Sequence, residues 1–264
     1  MYNGRGGFVT VVSSLGRRGI NFVKQVGELS ILAWRLIKAL PLMVKNPHLT
    51  SEQMLFMGVN SLPLVIFTSV FTGAVSAVQA AYQFQNFIPM RYLGTAVGKA
   101  VIIELGPVLT ALVVAGRVGA SIAAELGTMR VTEQIDALET MALDPVRYLV
   151  VPRFLAGIIM LPILTIIADL VAILGGLAVA VWFLDLTSYT FLNGVRLFFD
   201  LQDLFAGLVK SIVFGGIIAL IGCFQGFRTL GGAEGVGFST TRAVVVSSIL
   251  ILLSDYLIAS IIFG

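Results

Sequence analysis

Five long apolar stretches constrain the fold of this chain more than any other feature. Residues 53–90 contain no charged side chain. Four later stretches each contain a single charged residue. They are 100–116, 154–184, 204–227 and 243–263. About 20 apolar residues in a helix cross the ~30 Å hydrocarbon core of a bilayer. We therefore predict an all-α integral membrane protein with about five transmembrane helices.

The composition supports a membrane protein over a soluble one. Charged residues make up 12% of the chain and hydrophobic residues 58%, whereas a soluble domain is about 25% charged. A soluble, all-helical bundle of this composition would have too little polar surface to cover its core. One cysteine and one histidine exclude an internal disulfide framework and a histidine metal pair. We therefore expect no metal site. A net charge of only +3 is modest for a nucleic-acid-binding protein, so we expect no nucleic acid to bind.

The distribution of lysine and arginine predicts the orientation in the membrane. Thirteen of the 17 basic residues fall before the first span or in the second and fourth connections, and four fall on the other side. Because Lys and Arg are retained on the cytoplasmic side, we expect a cytoplasmic N-terminus and an outward C-terminus.

Residues 1–52 form an N-terminal region that precedes the five-span domain of residues 53–264. Apolar residues recur at helical spacing through 8–44, with Arg and Lys between them. This pattern predicts a basic amphipathic helix in the membrane interface, as either a sliding elbow or a passive anchor. The region is charged throughout and has no apolar segment before a small-residue cleavage site, so we do not expect a cleaved signal peptide.

The first span carries a polar stripe on one helix face. Its members are spaced three and four residues apart, and they are Ser69, Thr72, Ser76, Gln79, Gln83 and Asn86. Polar groups are costly against lipid tails, so the stripe must face protein or a cavity. Polar helix packing and the wall of a substrate path are both compatible with it. In the second span, Ala115, Gly119, Ala123 and Gly127 are four apart, which favours close helix packing.

Two connecting segments differ in character. The segment of about 130–146 has acidic residues on one face (Glu133, Asp136, Glu139) and apolar residues on another (Ile135, Leu138, Met141), which predicts a short helix that either docks on a partner or is a solvated connector. Asp144-Pro145 should end this helix. The glycine-rich residues 230–238 predict a flexible loop, and residues 185–203 predict a short helix on the outer interface.

The motifs exclude nucleotide chemistry and leave four ionisable residues within the spans. Residues 94–100 resemble a phosphate-binding loop, but one residue is missing between the glycines, and Ala100 stands where Ser or Thr must hold magnesium. No catalytic residues are expected. Glu104 and Lys210 should meet at similar depth, whereas Asp169 and Asp255 lie nearer mid-span, as structural carboxyls or as ion-coupling groups.

The chain resembles the MlaE permease family over a long region. The resemblance rests on the run from Glu104 to Pro145, which contains ELGP (104–107), GRVGASIAAELG (116–127) and EQIDALETMALDP (133–145). It extends to VPRF (151–154), KSIVFG (210–215), TTRAVV (240–245) and the following Asp255. It implies the permease of an ABC transporter in a bacterial cytoplasmic membrane, which moves phospholipid in lipid trafficking or in maintaining outer-membrane asymmetry.

The resemblance also implies partners and site residues. The expected partners are a second copy of the chain, two ATPase subunits that bind ATP, and an outward lipid-binding protein of the MCE type. The implied coupling helix comprises Arg130, Glu133, Ile135, Asp136, Leu138 and Glu139. The expected substrate path comprises Ser76, Gln79, Tyr82, Gln83, Phe87, Glu104, Leu105 and Lys210. Some members carry arginine where this chain has Ile103, and Lys99 or Lys210 could substitute for it.

Two other functions remain open at this point. An ion-coupled secondary transporter would use Asp169 and Asp255, although five spans cannot divide into the equal halves of an inverted repeat. A membrane scaffold without transport is the third possibility.

Overall fold

Nearly every described residue is helical. A computed structural model describes residues 4–41, 47–84 and 87–264, and this part of the chain contains no strand. Five helices in it are long and apolar enough to cross a membrane, which confirms the predicted number. Spans 1 to 5 are His48–Phe84, Met90–Val131, Val146–Phe183, Leu201–Phe227 and Gly232–Phe263. The protein is therefore a multi-pass, all-α membrane protein.

Several spans are interrupted rather than straight. Span 1 consists of α2 (Pro47–Met57), a 3₁₀ turn and α3 (Leu62–Phe84). Span 2 consists of α4 (Leu93–Ala100), α5 (Gly106–Val114) and α6 (Ala120–Val131), joined by π-helical segments at Val101–Leu105 and Ala115–Gly119. Span 3 begins with a third π-helical segment, Val146–Val150, and continues as α8 (Val151–Phe183). Spans 4 and 5 are α10 (Leu201–Phe227) and α11 (Gly232–Phe263).

The connections between spans 2 and 3 and between spans 4 and 5 lie at one end of the bundle, which we call the basic end. The N-terminal helix α1 (Gly4–Ala39) packs there, with Leu36 buried against the spans and Glu28 paired with Arg228 at 3.3 Å. The helix α7 (Gln134–Thr140) lies at the same end, between spans 2 and 3. Helix α1 ends at Ala39, before Pro41.

The prediction of a flexible loop over 230–238 is wrong. Helix α11 begins at Gly232, so only a tight turn joins it to α10. Gly231 and Gly232 have φ angles of 90° and 69°, values that residues other than glycine rarely adopt. The glycines thus make a sharp reversal, and the chain returns directly to the helix. At the opposite end, α9 (Ser188–Leu197) confirms the helix predicted within 185–203.

Small residues hold the spans together. Span 1 crosses span 3 so closely that a Cβ atom at Gly73 would overlap the carbonyl oxygen of Ala172. The predicted small-residue stripe of span 2 is also buried, against α10 and α11, and its members are Ala115, Gly119, Ala123 and Gly127. Large apolar side chains instead point outward, including Val245, Ile249 and Leu252 of α11. This arrangement, with small residues inside and large ones outside, is typical of helices packed in lipid.

Candidate functional site

An open groove runs between span 1 and span 2. It encloses about 630 Å³ and is bounded by α3 on one side and by Leu105, Leu109 and Val113 on the other. The α3 wall combines apolar and polar side chains, namely Phe67, Thr68, Phe71, Thr72, Val75, Ser76 and Gln79. The groove exists because α3 packs its opposite face, around Gly73 and Ala77, against span 3.

The hydroxyl groups of this wall are bonded within their own helix. Thr72 Oγ1 donates to the carbonyl of Thr68 at 2.9 Å, and Ser76 Oγ donates to the carbonyl of Thr72 at 2.8 Å. Thr68 Oγ1 donates in the same way to Leu64 at 3.0 Å. Because their hydrogens are already used, these residues can face a hydrocarbon chain without leaving a donor unsatisfied. Gln79 makes no side-chain hydrogen bond to any described residue.

The predicted polar stripe of span 1 divides between two environments. Ser69 is buried against span 3, whereas Thr72, Ser76 and Gln79 line the groove. Of the other expected path residues, Leu105 lines the groove, while Tyr82, Gln83 and Phe87 are exposed beyond its end. Asn86 lies outside the described residues.

The groove wall on α3 is not formed by the polar stripe alone. Phe67, Phe71 and Val75 line the groove beside the polar residues. The groove is wide and open, so roughly half of the helix circumference faces it.

A cluster of three charged side chains joins spans 2, 4 and 5. Lys210, which is completely buried, contacts Glu104 Oε2 and lies 2.8 Å from Asp255 Oδ1. The predicted proximity of Glu104 and Lys210 is therefore confirmed. Asp255, which the sequence placed nearer mid-span as a structural or ion-coupling carboxyl, pairs with the same lysine. Two carboxylates and one ammonium group give this cluster one excess negative charge.

The backbone of span 2 provides a further ligand for Lys210. Pro107 has no N–H, so the carbonyl of Ile103, four residues earlier, cannot receive the usual helical hydrogen bond. Lys210 Nζ donates to that carbonyl at 3.3 Å. The chain widens here into the π-helical segment, in which the N–H of Gly106 donates to the carbonyl of Val101. π-Helical segments are frequent at functional sites, and this one presents Glu104.

Asp169 lies next to the same segment but outside the cluster. Its carboxyl group packs directly on Gly106, where a Cβ atom would overlap Oδ1. Oδ1 has no hydrogen-bond partner among the described residues. A larger residue at position 106 would therefore require the Asp169 carboxyl group to move. No group of three potential metal ligands occurs within the described ranges.

The two lysines expected to replace the family arginine are both in ion pairs. Lys99 Nζ lies 3.1 Å from Asp203 Oδ2, which links α4 to α10. Lys210 is held by Glu104 and Asp255. Each lysine that could substitute for the arginine therefore has a carboxylate partner within this chain.

The helix between spans 2 and 3 is shorter than predicted. This helix, α7, covers only Gln134–Thr140, and Arg130, at the end of α6, pairs with Asp136. Ile135 is buried inside this chain, so its side chain is not available to a partner's groove.

The exposed surface of α7 is acidic and includes one large apolar side chain. Glu133, Asp136 and Glu139 are exposed, Leu138 is half-buried, and Met141 is 70% exposed. Glu133 and Ala142 flank the helix with φ angles of 59° and 58°. Residues other than glycine in this conformation carry strain of about 1–2 kcal/mol, which the packing of Ile135 helps to offset.

Comparison with known proteins identifies the family. The family model described as "Permease MlaE" matches residues 50–261. This chain belongs to the MlaE permease family. The permease is 45% identical over 258 residues to a probable ABC transporter permease protein of Rickettsia felis, covering 97% of this chain and 98% of the relative.

Two further relatives carry more specific names. The permease is 34% identical over 260 residues to the intermembrane phospholipid transport system permease protein MlaE of Haemophilus influenzae, covering 97% and 98% of the two chains. It is 36% identical over 214 residues to the chloroplast protein TRIGALACTOSYLDIACYLGLYCEROL 1 of Arabidopsis thaliana, covering 81% of this chain and 61% of the relative. The permease is therefore an ABC transporter component.

Sequence reasoning missed Asp255 as a ligand of Lys210 and the carbonyl of Ile103 as a second acceptor. The signal for the carbonyl was present, because a proline always leaves the carbonyl four residues earlier without a partner. Nothing in the sequence spacing relates Asp255 to Lys210, which are on different helices.

Proposed function

We propose that the permease moves phospholipid between the cytoplasmic membrane and an outward lipid-binding partner of the MCE type. The observation that carries this proposal is the groove between α3 and span 2, which combines apolar walls with Gln79, a polar side chain that is not hydrogen-bonded within its own helix. A phospholipid needs apolar surface for its acyl chains and a few polar contacts for its head. The name of the Haemophilus influenzae relative, an intermembrane phospholipid transport system permease protein, supports lipid as the cargo.

The groove suits acyl chains for a specific chemical reason. Its hydroxyl groups donate to their own helix, so they present only oxygen lone pairs and methyl groups to a ligand. Gln79, nearer the end of α3, retains both a donor and an acceptor for the ester or phosphate oxygens of the headgroup. Tyr82, Gln83 and Phe87 lie beyond it and would extend the path toward the outward partner.

The distribution of charge supports an orientation for the permease. Basic residues concentrate at the basic end, which favours a cytoplasmic location for that end and for α7. The acidic surface of α7 and the exposed Met141 are then available to two ATPase subunits, one for each copy of a permease dimer. ATP hydrolysis occurs on those subunits, and the permease supplies the lipid path. This transport would serve lipid trafficking or outer-membrane asymmetry.

The ion-coupled alternative has no comparable support. It required Asp169 and Asp255 to act together, but Asp255 pairs with Lys210 at 2.8 Å and Asp169 packs on Gly106.

A blocked groove tests the proposal. Ser76→Trp places a large ring in the groove, and we expect it to abolish ATP-dependent lipid transfer from proteoliposomes that contain the complete transporter. Val78→Trp is the matched control, because Val78 is exposed on the same helix but does not line the groove. Normal transfer by the Ser76→Trp variant, with its partner subunits still bound, would contradict the proposal.

A further inference from the structure

A second cavity lies at the basic end of the bundle, and none of its lining residues belongs to the groove. It encloses about 580 Å³ between α1, α10 and α11. Polar side chains from all three helices line it, and they are Gln25, Gln225, Arg228, Ser239 and Arg242.

The cavity has an excess of positive charge. Arg228 Nε lies 3.3 Å from Glu28 Oε2, so one guanidinium group is already paired. Arg242 pairs with no carboxylate in the part of the chain that the structure describes, and no described carboxylate lines the cavity. Gln225 adds a largely buried amide, which can donate to an anion.

Each of the two arginines has an apolar side chain one helical turn away, toward the middle of the membrane, so polar and apolar surfaces adjoin as they do in a lipid. Phe224 lies one turn before Arg228 on α10, and Val246 lies one turn after Arg242 on α11, so both apolar residues are nearer the middle of the membrane. The guanidinium group of Arg228 lies over the ring of Phe224, 5.3 Å from its centroid. A smaller, mainly apolar cleft of about 240 Å³ adjoins at Arg228, and it is lined by Ile31, Leu32, Phe224 and Phe227 together with Glu28 and Arg35.

We propose that this cavity binds the phosphate of an anionic phospholipid in the leaflet at the basic end. Guanidinium groups bind phosphate oxygens in bidentate geometry, and basic pockets between membrane helices attract anionic headgroups. The adjoining apolar cleft would take the start of an acyl chain. The inference goes beyond the proposed function and does not rest on it, because the groove lies between spans 1 and 2 whereas this cavity lies between α1, α10 and α11.

Glu28 is the built-in competitor of this ligand. It pairs with Arg228 at 3.3 Å, and both side chains are about one-third exposed, so the contact can open to admit a phosphate. Neutralising Glu28 releases Arg228 and should strengthen lipid binding, whereas neutralising Arg242 should weaken it. Opposite effects of these two substitutions would distinguish a phosphate site from a general loss of structure.

The test measures lipid retained by the purified full-length permease with its partner subunits. The complex is exchanged into detergent with equal amounts of phosphatidylglycerol and phosphatidylcholine, and bound lipid is counted by native mass spectrometry. We expect the wild type to retain phosphatidylglycerol preferentially. Arg242→Gln should reduce that retention roughly tenfold, since it removes charge-assisted hydrogen bonds, Arg242→Lys should reduce it less, and Glu28→Gln should increase it.

A matched control and a competitor define the opposite results. Arg147→Gln removes the same charge at the same end of the bundle but outside the cavity, so it should leave retention unchanged. Equal losses in Arg147→Gln and Arg242→Gln, or no loss in Arg242→Gln, would overturn the proposal. Displacement of the lipid by millimolar inorganic phosphate would show that the site takes a soluble anion instead. Lipid transfer is measured separately, so failure here is distinguishable from failure of the groove.

Discussion

Lys210 donates a hydrogen bond to the backbone carbonyl of Ile103 at 3.3 Å, across the contact between spans 4 and 2. The carbonyl is available because Pro107 has no N–H to offer it. The same ammonium group contacts Glu104 and lies 2.8 Å from Asp255. A single buried lysine therefore joins three spans beside the groove, at the point where span 2 departs from regular α-helical geometry.

Removing this lysine should be more harmful than removing either carboxylate. Lys210→Met leaves Glu104 and Asp255 without their shared cation, whereas Glu104→Gln leaves a balanced pair. An unpaired buried charge is strongly destabilising, by about 3–5 kcal/mol, and the partial exposure of Glu104 reduces this cost. We expect Lys210→Met to lower the melting temperature of the purified permease most.

The double variant Lys210→Met/Asp255→Asn provides the control for that comparison. It removes a buried charge of each sign, so it should recover part of the stability that Lys210→Met loses. Purely additive losses would show that the two side chains do not interact.

Close packing of spans 1 and 3 should make Gly73 intolerant of even one extra carbon. Gly73→Ala would force its Cβ into the carbonyl oxygen of Ala172, and we expect a loss of about 1–3 kcal/mol. Gly27→Ala is the control, because a Cβ atom there meets nothing within 4 Å and Ala favours a helix over Gly by about 0.5–1 kcal/mol. The melting temperature in detergent should therefore fall for Gly73→Ala and rise for Gly27→Ala. Equal shifts in the two variants would contradict the close crossing of spans 1 and 3.

The strained ends of α7 should give an unusual pair of glycine substitutions. Ala142 has a φ of 58°, so Ala142→Gly should relieve strain and stabilise the segment by about 1 kcal/mol. Ala137→Gly lies within the helix itself and should destabilise it by about 0.5–1 kcal/mol. Hydrogen exchange of the α7 amides measures both changes. Faster exchange in both variants would mean that Ala142 is not strained.

Docking of the ATPase should depend on the exposed side chains of α7 rather than on Ile135. We expect the double reversal Asp136→Lys/Glu139→Lys, or Met141→Ala, to weaken co-purification of the ATPase, with a cost above about 1 kcal/mol for an anchor at the interface centre. Ile135→Ala should instead loosen α7 by about 2 kcal/mol or more, visible as faster hydrogen exchange in the permease alone. Unchanged ATPase binding in the first two variants would contradict this docking surface.

The sequence predicts the spans well because lipid imposes a simple rule on them. Runs such as 154–184 must be predominantly apolar to cross the hydrocarbon core. Small residues such as Gly119 and Ala123 allow close helix packing only where they face another helix. Contact between Glu104 and Lys210 was also predictable, since buried opposite charges at similar depth pair.

Features that depend on the third dimension were not predictable. Ile135 shares a pattern with Leu138 and Met141, but only the bundle determines which of them points inward. Residues 230–238 contain enough glycine for a loop, yet two positive φ angles at Gly231 and Gly232 suffice to reverse the chain. The groove likewise depends on which face of α3 packs on span 3, and a polar stripe alone does not specify that face.

The central claim is that phospholipid occupies the groove between α3 and span 2, and site-specific photo-crosslinking tests it most directly. A photoreactive amino acid is placed at Ser76 or Gln79, which line the groove, and at Val78, which is exposed on the same helix outside it. After irradiation of membranes labelled with radioactive phosphate, we predict labelled permease from the groove positions and several-fold less from Val78. Equal labelling at all three positions would mean that α3 merely faces bulk lipid, and it would contradict the account.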